Sequence, residues 1–289
     1  MTIKSISGIA YVNGHYMPRR LASVHIEDRG YQFADGVYEV IAVKDGRLID
    51  GELHYDRLDR SLAELQIEAP CSRAVLGIVF HQVLRRNGIR NGIVYLQITR
   101  GVARRNHAFP PAGTAASLVV TANRLLPPSP ALVEKGVAVI SLPESRWSRP
   151  DIKSISLLPN VLAKQQAAEA GAYEAWFVDD SGRVTEGSST NAWIVIDGQE
   201  VVTPPLGSGI LAGITRQSLL EAAKRANIRI TERSFSIEEA RMAQEAFITS
   251  TTSFVLPVVS LDGKPVGTGV PGPVAQALLR AYQDHVEAE

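Results

Sequence analysis

The chain has 289 residues, of which 45% are hydrophobic and 21% charged, and its 30 basic and 30 acidic side chains leave no net charge. Such a chain buries a sizeable core as one large domain or two ordinary ones, and its balance gives no overall case for nucleic acid or an anionic membrane as partner. The single cysteine, Cys71, excludes an intramolecular disulfide and a cysteine metal cluster. No run approaches the roughly 18 apolar residues of a membrane helix, and residues 1–5 do not read as a signal peptide, so a cytoplasmic location is expected.

Asn13-Gly14 follows an apolar run at residues 9–12, and Asp45-Gly46 follows another at 38–43. Both read as hairpins, because Asn-Gly and Asp-Gly tolerate the positive φ angles of a tight turn. Leu53, Leu58, Leu62 and Leu65 recur at helical spacing, and a second helix is expected over residues 75–84. Residues 93–99 and 117–121, rich in Val and Ile, read as strands. The stretch Leu125-Leu126-Pro127-Pro128-Ser129-Pro130 cannot continue a helix or a central strand and marks the boundary. It separates an N-terminal α+β domain at 1–124 from a C-terminal domain at 131–289, with 125–130 as linker.

Beyond the linker, strands are expected at 137–142, 174–178, 192–196, 228–233, 245–249 and 255–259. Helices are expected at 160–170, ended by Gly171, at 215–226 and at 274–287. Turns are expected at Asp180-Ser181-Gly182 and Asp197-Gly198. The mixture lacks the regular alternation of a doubly wound sheet, no G-x-G-x-x-G fingerprint is present, and the fold class is α+β in two domains.

Several segments carry chemistry. Lys153 lies in the run Asp151-Ile152-Lys153-Ser154-Ile155, where desolvation disfavours an ammonium and favours a nucleophilic amine that holds an aldehyde cofactor. Gly209 to Arg216 places glycines before a helix N-terminus, a ready anion site, with the Thr215 hydroxyl beside it. Ser250-Thr251-Thr252-Ser253 puts consecutive hydroxyls at a strand end. Glu186 sits in a small polar loop, where a carboxylate can keep a pyridine nitrogen protonated. Arg57 begins a helix and suits bidentate phosphate binding. Arg100, Arg104, Arg105 and His107 form a local basic patch suited to a carboxylate. Each segment alone also reads as ordinary structure, a cap, a solvated loop or a surface charge; their order along one chain is what carries information. The six histidines show no H-E-x-x-H spacing and there is no G-x-S-x-G, so neither metal nor serine hydrolysis is supported.

Taken together, Glu27-Asp28-Arg29-Gly30-Tyr31-Gln32-Phe33-Ala34-Asp35-Gly36-Val37-Tyr38-Glu39-Val40, Asp151-Ile152-Lys153-Ser154, Val184-Thr185-Glu186-Gly187-Ser188-Ser189, Gly213-Ile214-Thr215-Arg216 and Thr249-Ser250-Thr251-Thr252-Ser253 resemble the class IV aminotransferases, the fold-type IV pyridoxal-phosphate enzymes, and within them the group acting on D-amino acids. The resemblance implies pyridoxal 5'-phosphate as cofactor and an active site between the domains. It implies Lys153 as the Schiff-base lysine and proton shuttle and Glu186 as partner of the pyridine nitrogen. Arg57, Ile214, Thr215, Ser250 and Thr251 take the phosphate, and Leu211 packs against the ring. Tyr31, Arg105 and His107 trap the substrate carboxylate, the last two reaching in from the other subunit of a homodimer. The R-x-H pair separates this group from branched-chain and (R)-amine transaminases and from aminodeoxychorismate lyase, the alternatives on the same fold. Arg104 stands where the family carries proline and Asn106 where alanine is expected, so Arg104 competes with Arg105 as the carboxylate ligand. The implied reaction moves an amino group from a D-amino acid such as D-alanine to 2-oxoglutarate or pyruvate.

Overall fold

Local backbone chemistry sets the first hairpins. Asn13 (φ 43°) and Gly14 (φ 96°) join β1 (Ile9–Val12) to β2 (His15–Pro18), and Asp45 (φ 50°) and Gly46 (φ 85°) join β3 (Gly36–Lys44) to β4 (Arg47–Leu48). Positive φ at both turn centres matches the twist of the flanking strands. The structure, a computed structural model, describes residues 7–125, 128–196 and 200–288. The chain divides into two units, Met1–Leu126 with Ile152–Ser156, and Pro127–Asp151 with Leu157–Glu289.

The first unit adds α1 (Arg29–Phe33), α2 (Gly51–Glu64), α3 (Arg73–Asn87), β5 (Gly92–Thr99) and β6 (Ser117–Asn123). Its sheet runs β2-β1-β6-β5-β3-β4, antiparallel throughout. Val94, Leu96 and Ile98 alternate inward along β5. They share a core with Leu58 and Leu62 of α2 and Leu76, Val79, Phe80 and Val83 of α3. The Ser72 hydroxyl accepts the Val75 N–H at the start of α3, and Gly88 (φ 59°) ends the helix.

Lys153 lies past the proline-rich boundary, yet its segment packs with the first unit. Tyr38 N–H donates to the Lys153 carbonyl at 3.0 Å, Ile155 N–H donates to the Gly36 carbonyl at 3.0 Å, and Val37 bridges Ser154. Ile152 is buried in the first unit's core. A Cβ at position 36 would run into the Ile98 carbonyl and the Ile155 side chain, so glycine lets β3 lie between them.

The second unit contains α4 (Pro130–Lys135), β7 (Val137–Pro143), α5 (Leu158–Glu169), β8 (Glu174–Val178), β9 (Val184–Gly187), β10 (Asn191–Ile196), β11 (Glu200–Thr203), α6 (Ile214–Arg225), β12 (Ile230–Glu232), α7 (Ile237–Met242), β13 (Glu245–Ser250), β14 (Phe254–Leu261), β15 (Lys264–Pro265) and α8 (Pro273–Ala288). Its sheet runs β12-β11-β10-β13-β14-β7-β8-β9, with β15 beside β14. The pairs β11–β12, β14–β7 and β7–β8 are parallel and the rest antiparallel. Trp176, Ile194, Phe235, Ile248 and Leu256 fill one core. Trp193 stacks on Phe247 and donates its indole N–H to the Thr249 hydroxyl at 2.9 Å. The Glu245 carboxylate accepts the first N–H groups of α8, from Val274 at 3.0 Å and Ala275 at 2.8 Å, an anion at the positive end of a helix.

Three local differences from the sequence reading have physical causes. Pro130 starts α4 instead of only interrupting the chain, because its fixed φ suits the first helical position and Ser129 caps the helix by accepting Leu132 N–H. Glu186 lies on strand β9, not in a loop, paired with β8. The short helices α1 and α7 have too few residues for a periodic signal, though Asp28 and Ser236 cap them with their side chains. The hairpin expected at Asp197-Gly198 and linker residues 126–127 lie outside the described residues. No helix among the described residues is long and apolar enough to cross a membrane.

Candidate active site

In the first unit the bond from Tyr38 to the Lys153 carbonyl fixes the lysine beside β3. The Lys153 amine lies 4.3 Å from the centre of the Tyr38 ring, within cation–π range of its face. The backbone N–H of Lys153 donates to the Ser61 hydroxyl of α2 at 3.3 Å. One residue along β3, Glu39 is fully buried. One of its oxygens accepts Arg57 Nε, the other accepts Arg57 Nη2, and His54 Nδ1 meets that second oxygen, all at 2.7 Å. Burial pushes the Glu39 carboxyl up, but the Arg57 charge and hydrogen bonds and the His54 bond outweigh it and bring it down to about 2. Burial lowers the His54 pKa, more than its bond to Glu39 raises it, and the Arg57 and Lys153 charges lower it further. Neutral His54 therefore donates Nδ1–H to the carboxylate. Arg57 is thus a buried guanidinium aimed by a permanent anion. Tyr38 and Glu39 were not singled out in the sequence; both lie in the motif around residues 27–40, but only the pairing of β3 with residues 153–155 shows which of its side chains meet Lys153.

Arg105 lies over the Phe33 ring at 4.6 Å, and His107 lies 5.3 Å from the same ring. The two side chains thus share one surface, two residues apart. Arg104 is exposed and makes no such contact among the described residues. Tyr31 stands on α1 with 75% of its surface exposed and makes no hydrogen bond, ring contact or cation–π contact among the described residues. The phenol beside Lys153 is that of Tyr38.

In the second unit Glu186 is buried on β9. Both of its oxygens are 3.1 Å from Leu211 N–H, one accepts Asn191 Nδ2 at 3.0 Å, and the other pairs with Arg146 Nη1. Arg146 is anchored in turn by Glu144, the Thr185 hydroxyl and the Gly209 carbonyl, and lies over the Phe177 ring. Burial alone lowers the Arg146 pKa, but its bonds to Glu144 and Glu186 raise it overall. Asn191 Nδ2 also donates to the Leu211 carbonyl at 3.1 Å. Glu186 and the main chain of Leu211 are thereby locked together. Neither Arg146 nor Asn191 has a motif in sequence that marks it.

The phosphate-type segments lie where expected along the chain. Gly213 precedes α6 and no side chain caps the helix. The amides of Ile214 and Thr215 open it, and the Thr215 hydroxyl is buried with them. A Cβ at position 213 would strike the Asn191 amide oxygen, so glycine lets this turn close onto the residue that holds Glu186. At the end of β13 the Ser250 hydroxyl accepts Ser253 N–H at 3.1 Å and bonds the Ser253 hydroxyl at 2.7 Å, which shapes a turn with Thr251 half-buried at its tip.

Comparison with known proteins decides the family. The amino-transferase class IV model matches residues 36–261. The chain is 41% identical over 278 residues to a D-alanine aminotransferase of Bacillus licheniformis, covering 96% of each. The chain is a class IV aminotransferase. It is also 38% identical to a D-alanine aminotransferase of Staphylococcus haemolyticus, covering 96% of this chain and 98% of that one. Among solved structures it is similar to a T.th. branched-chain amino acid aminotransferase holding pyridoxamine 5'-phosphate, with TM-score 0.88, 28% identity and coverage of 98% and 95%. It is similar as well to the branched-chain enzyme of Escherichia coli, with TM-score 0.87, 26% identity and coverage of 96% and 94%. This aminotransferase uses pyridoxal 5'-phosphate. Each unit carries residues whose chemistry suits that cofactor: in the first an amine on a π face and a buried guanidinium, and in the second a buried carboxylate locked by three donors and an uncapped helix N-terminus whose leading glycine has the Asn191 amide oxygen where a Cβ would stand.

Proposed function

We propose that the protein transfers the amino group of a D-amino acid, with D-alanine as the reference substrate, to a 2-oxo acid such as 2-oxoglutarate or pyruvate. When bound, pyridoxal 5'-phosphate supplies an aldehyde that takes the amino group and a ring that takes up the electron pair left when the Cα proton departs. With the cofactor bound, Lys153 would hold its aldehyde, and the same amine would carry the proton that leaves Cα. Glu186 holds a proton on the ring nitrogen, and its lock through Arg146, Asn191 and Leu211 keeps the carboxylate from rotating away. Arg57, Ile214, Thr215, Ser250 and Thr251 take the phosphate, and Leu211 packs on the ring. Arg105 and His107 take the substrate carboxylate from the partner subunit of a homodimer. Tyr31 takes the substrate carboxylate with them, and Tyr38 is a second phenol, beside the Lys153 amine. A general acid–base group of this kind contributes about 10²–10⁴-fold.

The observation that carries the D-amino acid reading is the identity of 37–41% to D-alanine aminotransferases over 96% of the chain, against 26–28% to the two branched-chain aminotransferase structures described above. The R-x-H pair at Arg105 and His107, both on the Phe33 ring, agrees with it. A cytoplasmic location fits a substrate pair of ordinary metabolites. The test is pyruvate formation from D-alanine and 2-oxoglutarate by the purified holoenzyme. Turnover with D-alanine and none with the Lys153→Ala variant is the expected result; equal turnover of the variant overturns the scheme.

A further inference from the structure

The segment that carries Arg105 and His107 has no regular structure and residues 104–109 are exposed, yet its carboxylate ligands need a fixed position. Among the described residues, the hydrogen bonds tying the main chain of residues 106–108 to the rest of the first unit all come from one side chain. Arg29 Nη1 donates to the Asn106 carbonyl at 2.5 Å and the Ala108 carbonyl at 3.3 Å, and Nη2 donates to the His107 carbonyl at 3.4 Å. Arg29 is only 3% exposed, so a buried guanidinium makes these part-buried, charge-assisted bonds from a planar fork.

The fork is aimed from behind. Arg29 Nε donates to Asp35 Oδ2 at 2.8 Å, and Arg100 grips the same carboxylate with Nε at 2.8 Å and Nη2 at 3.0 Å. Arg100 also donates to the Leu65 and Gln66 carbonyls just past the end of α2, so Asp35 joins the segment to the body of the unit. Burial pushes the Asp35 carboxyl up, but the two arginines more than offset it and hold it below the usual range. At the front, the Arg29 guanidinium lies 4.9 Å from the Phe33 ring, on which Arg105 and His107 also rest. The turn into α1 is fixed by Asp28, which accepts Gly30 N–H at 2.8 Å and the Thr99 hydroxyl at 3.0 Å.

The geometry points to Arg29, aimed by Asp35, as the positioning residue for substrate-carboxylate recognition: it holds residues 106–108 so that Arg105 and His107 lie together on the Phe33 ring. The inference rests on the reading that Arg105 and His107 bind the carboxylate. A lysine at position 29 is a point charge and cannot hold three carbonyls and a carboxylate in one plane. Arg29 itself touches neither substrate nor cofactor in this scheme.

The test compares D-alanine with D-alaninol, which lacks the carboxylate, in single half-reactions of the holoenzyme followed by its visible spectrum. In Arg29→Lys, kcat/KM for D-alanine is expected to fall about ten-fold or more, mainly through KM, while the D-alaninol rate changes less than about two-fold. Asp35→Asn is expected to shift the ratio in the same direction. A variant in which both substrates are unchanged, or fall equally, overturns the inference, since a merely structural arginine does not discriminate between them. Should Arg29→Lys fail to fold, Phe33→Leu removes the shared ring and must show the same selective loss; an unchanged ratio there overturns the inference too. A wild-type protein inert toward D-alanine overturns the inference together with the reading beneath it.

Discussion

Glu39→Gln separates electrostatic aiming from simple packing. The side chain keeps its shape, but Arg57 Nε, Arg57 Nη2 and His54 Nδ1 then face an amide that offers one oxygen in place of two, and a buried guanidinium loses its anion. Glu39 titrates at about 2 in the folded state. The gap from an ordinary glutamate is worth about 3 kcal/mol, at the lower end of the roughly 3–5 kcal/mol typical for removing one partner of a buried pair. Urea unfolding of the cofactor-free protein measures it. Trp147, Trp176 and Trp193 all lie in the second unit, so far-ultraviolet circular dichroism must accompany tryptophan fluorescence to follow the first. Because the folded-state pKa is depressed, the stabilisation is complete above about pH 4.3, the unfolded value. It is lost as pH falls through about 2. The variant is therefore expected to be about 3 kcal/mol less stable at pH 7, with the difference shrinking towards pH 2. A loss below about 1 kcal/mol, the range of an exposed ion pair, or a gap that stays constant with pH, refutes the reasoning.

Other consequences are open to direct measurement. Arg105→Leu is expected to raise KM for D-alanine at least about ten-fold with little change in cofactor dissociation, whereas Arg104→Leu leaves KM near wild type; the reverse pattern would move the trap by one residue. Gly213→Ala forces the α6 turn off Asn191 and is expected to weaken cofactor binding about ten-fold by equilibrium dialysis, while an unchanged constant would show the turn can relax. Arg146→Leu unlocks Glu186 and is expected to lower kcat by about 10² while leaving KM within about three-fold, and a pure KM effect would contradict its assigned place. Mixed dimers of Lys153→Ala and Arg105→Leu subunits are expected to recover up to one working site per dimer, because the intact lysine and the intact arginine then serve the same site; no recovery would place Arg105 in its own subunit's site.

What the sequence disclosed follows from range. The Asn13-Gly14 and Asp45-Gly46 turns were legible because two residues fix their angles. The helices at 51–64 and 273–288 were legible because a leucine or valine stripe repeats at helical spacing. Glu186 was legible as a residue but not as part of a strand, since Val-Thr-Glu-Gly is short and polar and is held by pairing with β8. Tyr38 and Tyr31 stand seven positions apart in one motif, and only the bonds of Gly36 and Tyr38 to residues 153–155 bring one of them to Lys153. Arg146, Asn191 and Arg29 act through contacts 5 to 79 residues away in sequence, which no local spacing records.

The visible spectrum of the holoenzyme during single half-reactions, first with D-alanine and then with L-leucine, separates a D-amino acid transaminase from a branched-chain one. Loss of the band of the lysine-bound cofactor with D-alanine and its persistence with L-leucine is the predicted result. Loss with L-leucine alone would keep family and cofactor but contradict the D-amino acid assignment.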